Sequence, residues 1–80
     1  MELKPTLERI EREKKFGDVA DAGRAAGLSA QVYKNARSKQ TFEELTSAEW
    51  KILEAILKIL DDRKALQDKI TSNNADQTRA

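Results

Sequence analysis

Between Ala22 and Phe42 the chain carries no acidic residue, while Arg24, Lys34, Arg37 and Lys39 all fall inside that window. At its centre stands Gly27-Leu28-Ser29, flanked on both sides by alanine-rich sequence. Glycine accepts the left-handed backbone that ends a helix, and serine is a good first cap for the next one. The spacing therefore predicts two short helices joined by a tight turn. The whole chain of 80 residues has 15 basic and 14 acidic side chains, so positive charge is gathered on this unit and the remainder is acidic on balance. The net charge of +1 is silent by itself; its distribution is the constraint.

The neighbouring segments are helical too. Pro5 suits the first turn of a helix, and Leu3, Leu7, Ile10 and Lys14 recur at spacings of three and four, a narrow apolar stripe among charges. Gly17 is expected to stop that helix, with Phe16 folding back into the core. Asp18 is expected to cap the next helix, whose face of Val19, Ala22, Gly23 and Ala26 is apolar and small enough for another helix to approach closely. After Ser29 a helix over Ala30 to Ser38 turns Val32, Tyr33 and Ala36 inward. Its opposite face is Ala30, Gln31, Lys34, Asn35 and Ser38, with Arg37 on the flank. Core packing does not explain that face. Phe42 and Leu45 anchor a connection, with a helical turn expected after Thr41. Thr46 followed by Glu49 has the spacing of a capping box for a long last helix ending near Asp68 or Ile70. The fold class expected is all-α, with four main helices and the last one long and amphipathic. Residues 1–70 form one domain and residues 71–80, poor in apolar side chains, a disordered tail.

Composition excludes several classes of function. Without cysteine or histidine there is no disulfide, no thiolate metal site and no imidazole base. A chain with four aromatic residues has little material for a closed pocket as well as a core, so the expectation is a protein that is not an enzyme and needs no metal or other cofactor or small-molecule substrate. The apolar runs are too short to span a membrane and no signal-peptide pattern opens the chain, which gives a cytoplasmic location as the expectation.

The order from Asp18 to Lys39 resembles the helix-turn-helix of phage repressors, Cro-type proteins and small bacterial regulators. Gly23 matches the small residue of the first helix, Gly27 the turn glycine and Leu28 the apolar turn residue. Ser29 opens the second helix, and Tyr33 and Ala36 stand where that family buries apolar side chains. Tyr33 replaces the usual β-branched aliphatic and Ala36 is smaller than usual, so Trp50 or Phe16 is expected to fill the space beside them. The resemblance implies that the second and third helices form a DNA-binding unit, with the third laid in the major groove of duplex DNA. On that docking mode Gln31, Lys34 and Asn35 read base edges, while Arg24, Ser29, Arg37 and Lys39 hold phosphates. The implied activity is sequence-specific transcriptional regulation. The plainer reading of the same side chains is a solvated helix face.

The last helix carries more apolar surface than one stripe. Trp50, Leu53, Leu57 and Leu60 line one row, and Ile52, Ile56, Ile59, Leu66 and Ile70 a second beside it. If the first covers the small helices, with Trp50 as anchor, the second is left for a partner. The expectation is an isologous homodimer through Ile52, Ile56, Ile59 and Leu66. The alternative reading makes the protein a non-catalytic helical module that uses residues 50–70 to bind a different protein.

Overall fold

The computed structural model describes the backbone of residues 2–79 and the side chains of residues 2–72. Four helices follow one another: α1 (Lys4–Glu13), α2 (Asp18–Ala26), α3 (Ala30–Arg37) and α4 (Ser47–Arg79), with a 3-10 turn at Phe42–Glu44 before the last. Among the described residues there is no strand, only an isolated antiparallel bridge between Glu2 and Thr41. The chain is all-α, as expected.

Each element begins and ends for a local reason. Pro5 lies in the first turn of α1, where its missing N–H costs nothing. The Leu3 N–H reaches the Gln40 carbonyl at 3.0 Å, so the start of α1 is tied to the connection after α3. At the end of α2, Gly27 takes φ +72°, its N–H bonds to Arg24 O at 3.3 Å, and the Leu28 N–H bonds to Gly23 O at 2.7 Å. This is a Schellman closure, with Leu28 as the apolar residue that follows it. Ser29 precedes α3 in extended backbone, yet its hydroxyl makes no capping bond. The capping box forms: the Thr46 N–H donates to Glu49 Oε1 at 2.8 Å and the Glu49 N–H to Thr46 Oγ1 at 3.2 Å.

The core is built around α4, which packs on all three shorter helices. Leu3 and Ile10 from α1 and its start, Ala22 from α2, Tyr33 and Ala36 from α3, and Leu45 meet Ile52, Leu53, Ile56 and Leu60 of α4. This corrects the reading of the last helix. Ile52 and Ile56 are fully buried inside the chain and Ile59 packs against the same core, so they are not a surface for a second copy. A helix covered from three sides buries a far wider face than the single stripe of a surface helix. Trp50 is not its anchor: it is 42% exposed and stacks on Phe42 with ring centroids 5.1 Å apart. Past Leu60 the helix leaves the core, and Leu66 and Ile70 are 57% and 49% exposed. It continues to Arg79, beyond the expected end near Asp68 or Ile70. Most of the expected disordered tail, residues 73–80, lies outside the residues whose side chains are described.

Phe16 also departs from expectation, being fully exposed. Lys15 to Asp18 form a β-turn in which the Asp18 N–H reaches Lys15 O at 3.1 Å, and Gly17 (φ 90°, ψ −14°) has the values a type II turn needs at its third position. Phe16 takes the second position, the outer corner. Asp18 does not cap its own helix. Its buried carboxylate accepts the Lys15 N–H at 2.7 Å through Oδ2 and Arg63 Nη2 at 2.6 Å through Oδ1. The bond from Arg63, with smaller help from the Lys15 N–H, holds that carboxyl below its ordinary range despite burial.

Two stability predictions arise from these contacts. A Cβ added at Gly23 meets the Leu28 carbonyl oxygen at 2.6 Å, a backbone atom. Gly23→Ala should therefore destabilise the chain by about 1–3 kcal/mol in urea unfolding, although helix propensity alone favours alanine by about 1 kcal/mol. Asp18→Asn should cost about 2 kcal/mol at neutral pH. Because the folded carboxyl titrates below its ordinary value of 3.8, the stability it contributes is present above that value and lost as the pH falls through the folded one. The gap between the two proteins should thus narrow in unfolding curves taken as the pH falls below 3.8.

Candidate nucleic-acid interface

The eight residues of α3 divide cleanly between two environments. Tyr33 and Ala36 are buried and Val32 half-buried, whereas Ala30, Gln31, Lys34 and Asn35, with Ser38 just beyond, are exposed. The three side chains expected to read bases, Gln31, Lys34 and Asn35, are thereby brought together on one open face. Gln31 Nε2 donates to Asn35 Oδ1 at 3.2 Å, one helical turn away, which aligns the two amides along the helix. Lys34 has no carboxylate partner among the described residues.

The residues expected to hold phosphates are placed differently. Arg24 pairs with Asp21 on its own helix. Arg37 Nη2 lies 3.2 Å from Glu11 Oε1, and Lys39 Nζ lies 4.0 Å from Glu49 Oε1. Ser29 is exposed with its hydroxyl uncommitted to the helix. The window that is free of acids in sequence thus receives Glu11 from α1 and Glu49 from α4 in space. An arginine has five N–H donors, so Arg37 can hold Glu11 and still present donors to an anion.

Glu11 organises a small network that sequence reasoning did not find. The Tyr33 hydroxyl donates to Glu11 Oε2 at 2.8 Å, and Lys14 Nζ lies 3.2 Å from the same oxygen. Lys14 and Arg37 flank the Tyr33 ring, 5.8 and 5.9 Å from its centroid. Burial works to raise the Glu11 carboxyl, but the bonds from Tyr33 and Lys14 and the charges of Lys14 and Arg37 outweigh it and hold it below its ordinary range. Burial, and then Glu11, push the Tyr33 phenol well above its ordinary value. One carboxylate faces two cations here, so the cluster keeps a positive surplus beside α3. The signal available in sequence was Tyr33 itself, since a tyrosine on a buried face must find its hydroxyl a partner. Neither Trp50 nor Phe16 fills the space at Tyr33; its hydroxyl reaches out to α1 instead.

At the C-terminal end of α3 an open cleft of about 570 Å³ is bordered by Lys4, Leu7, Arg37, Lys39 and Gln40. Lys4 and Gln40 add basic and polar character, and Glu2 an acid, that the sequence does not by itself assign to this cleft. Among the described residues no group of acids is placed to hold a metal ion, and no helix is long and apolar enough to cross a membrane. No protein-family model, no curated protein and no solved structure matches this chain.

Proposed function

We propose that the protein binds duplex DNA sequence-specifically, with α2 and α3 acting as a helix-turn-helix, and that it regulates transcription without catalysing a reaction. The observation that carries this reading is the outer face of α3. Gln31, Lys34 and Asn35 stand there exposed, with no acidic neighbour on that face and no apolar group that would call for a protein partner. Paired amides suit adenine edges, and a lysine without an internal partner suits a guanine edge or a phosphate. Arg24, Arg37 and Lys39, each steadied by one carboxylate, supply the flanking phosphate contacts, joined by the Ser29 hydroxyl.

Fluorescence anisotropy with a randomised duplex pool, followed by sequencing of the bound fraction, tests the proposal. Selection should enrich a motif, and Lys34→Glu should weaken binding to it at least tenfold while leaving the melting temperature unchanged, because Lys34 supports nothing in the fold. Absence of binding at tens of micromolar protein and low salt would overturn the reading and favour the helical module that binds another protein.

One α3 spans few base pairs, and a second copy would double the contact. The reading therefore extends to a homodimer, now through Leu66 and Ile70, one turn apart on the part of α4 that projects beyond the core. Sedimentation at micromolar concentration should give twice the 9.0 kDa chain mass. Leu66→Lys with Ile70→Lys should return a folded monomer, since neither side chain belongs to the core. A wild-type species at the single-chain mass would remove the dimer while leaving the DNA reading in place.

A further inference from the structure

Among the described residues the most exposed large apolar side chain is Phe16, and the turn that carries it is fixed. Its turn is closed by the Asp18 N–H on Lys15 O, by the Asp18 carboxylate on the Lys15 N–H, and by Arg63 of α4 on that same carboxylate. A fully exposed phenylalanine on a turn fastened in this way is displayed before binding, with its backbone already ordered. Around it lies an open cleft of about 540 Å³ bordered by Lys14, Lys15, Gly17, Val19, Ala20 and Arg24. Three of these are cations. The nearby acids are engaged: Glu11 with Lys14 and Arg37, Asp21 with Arg24, Asp18 with Arg63. Lys15 makes no carboxylate salt bridge among the described residues, although its charge acts on the Asp18 carboxylate. Lys14 and Arg24 keep N–H donors beyond their carboxylate partners, so an occupant that brings negative charge together with an apolar surface for the ring fits the cleft.

Lys14 links this cleft to the α3 face. The same side chain that borders the cleft shares Glu11 with Arg37 and sits over the Tyr33 ring. A strand leaving the groove beside α3 thus meets Arg37 and Lys14, bridged by Glu11, on the way to Phe16. We propose that the Phe16 cleft is a second, sequence-independent DNA contact, in which Lys14, Lys15 and Arg24 take backbone phosphates and the Phe16 ring lies against the deoxyribose between them. The inference rests on the DNA-binding reading and extends it from Arg24, which that reading already uses, to Lys14, Lys15 and Phe16. Phosphate oxygens match the cations, and the sugar edge supplies the apolar face.

The test compares Phe16→Ala, Lys15→Glu and Lys34→Glu on the selected duplex and on an unrelated duplex, across salt concentration. Phe16→Ala should weaken both duplexes by about the same factor, roughly tenfold, with unchanged melting temperature and salt slope. Lys15→Glu should weaken both and lower the slope of log affinity against log salt by about 1. If both variants bind like wild type while Lys34→Glu fails, the cleft is not a DNA contact and the reading of α3 survives. If wild-type protein binds neither duplex, both proposals fall. Loss of binding to vesicles of anionic lipid in Phe16→Ala, with DNA binding intact, would instead assign the cleft to a membrane surface and overturn the inference.

Discussion

The direction of α3 depends on how closely the chain can pass over Gly23. The Leu28 carbonyl lies where a side chain on Gly23 would begin, and the Leu28 N–H closes on the Gly23 carbonyl. Both contacts are made by backbone, so they have no rotamer with which to adjust. With this crossing set, Gly27 can reverse the chain, Leu28 can drop toward Ile52 and its neighbours, and α3 leaves the turn with Tyr33 and Ala36 facing α4. The outer face carrying Gln31, Lys34 and Asn35 is the geometric complement of that packing. A functional surface here is fixed by a contact on the far side of the helix that bears it.

Charge follows a different logic from packing. Along the sequence, four cations occur in a stretch without acids; in the folded chain, three of the four have a carboxylate partner. The exposed pair among them, Arg24 with Asp21, contributes little stability. The effect of these pairs is positional: Glu11 gathers Lys14, Tyr33 and Arg37 from two helices into one cluster, and α1 is thereby bound to α3 by polar contacts where the apolar core runs out. The first helix, which looks in sequence like a generic charged element, orients the side of α3 that flanks the reading face.

Much of this was legible in the chain because it is local. Pro5 at the start of α1, Gly27 at the end of α2, the Thr46 and Glu49 box and the inward set Tyr33 and Ala36 are each decided by spacing within one or two turns. Apart from Phe16, the failures are matters of which distant element arrives. Phe16 is apolar and next to a helix end, yet the type II turn demanded by Gly17 puts it at a corner. Asp18 stands at a helix start, but Arg63, far along the chain, takes its carboxylate. Ile52 and Ile56 look surplus only when α4 is taken for a lid with one covered side; as the central helix it has neighbours on three. At the candidate site, Gln31, Lys34 and Asn35 follow from helical periodicity alone, whereas the partners of Arg37 and Lys39 could be known only once α1 and α4 were in place.

The two ion pairs that bracket the exit of α4 from the core have a mechanical consequence. Arg63 is clamped to Asp18 at the turn before α2, and Asp61 to Arg9 of α1 at 2.6 Å, just where the helix loses its hydrophobic support. The projecting half is therefore a lever with its fulcrum at Asp61 and Arg63. Through Asp18 the point where the helix leaves the core is tied directly to the corner that displays Phe16.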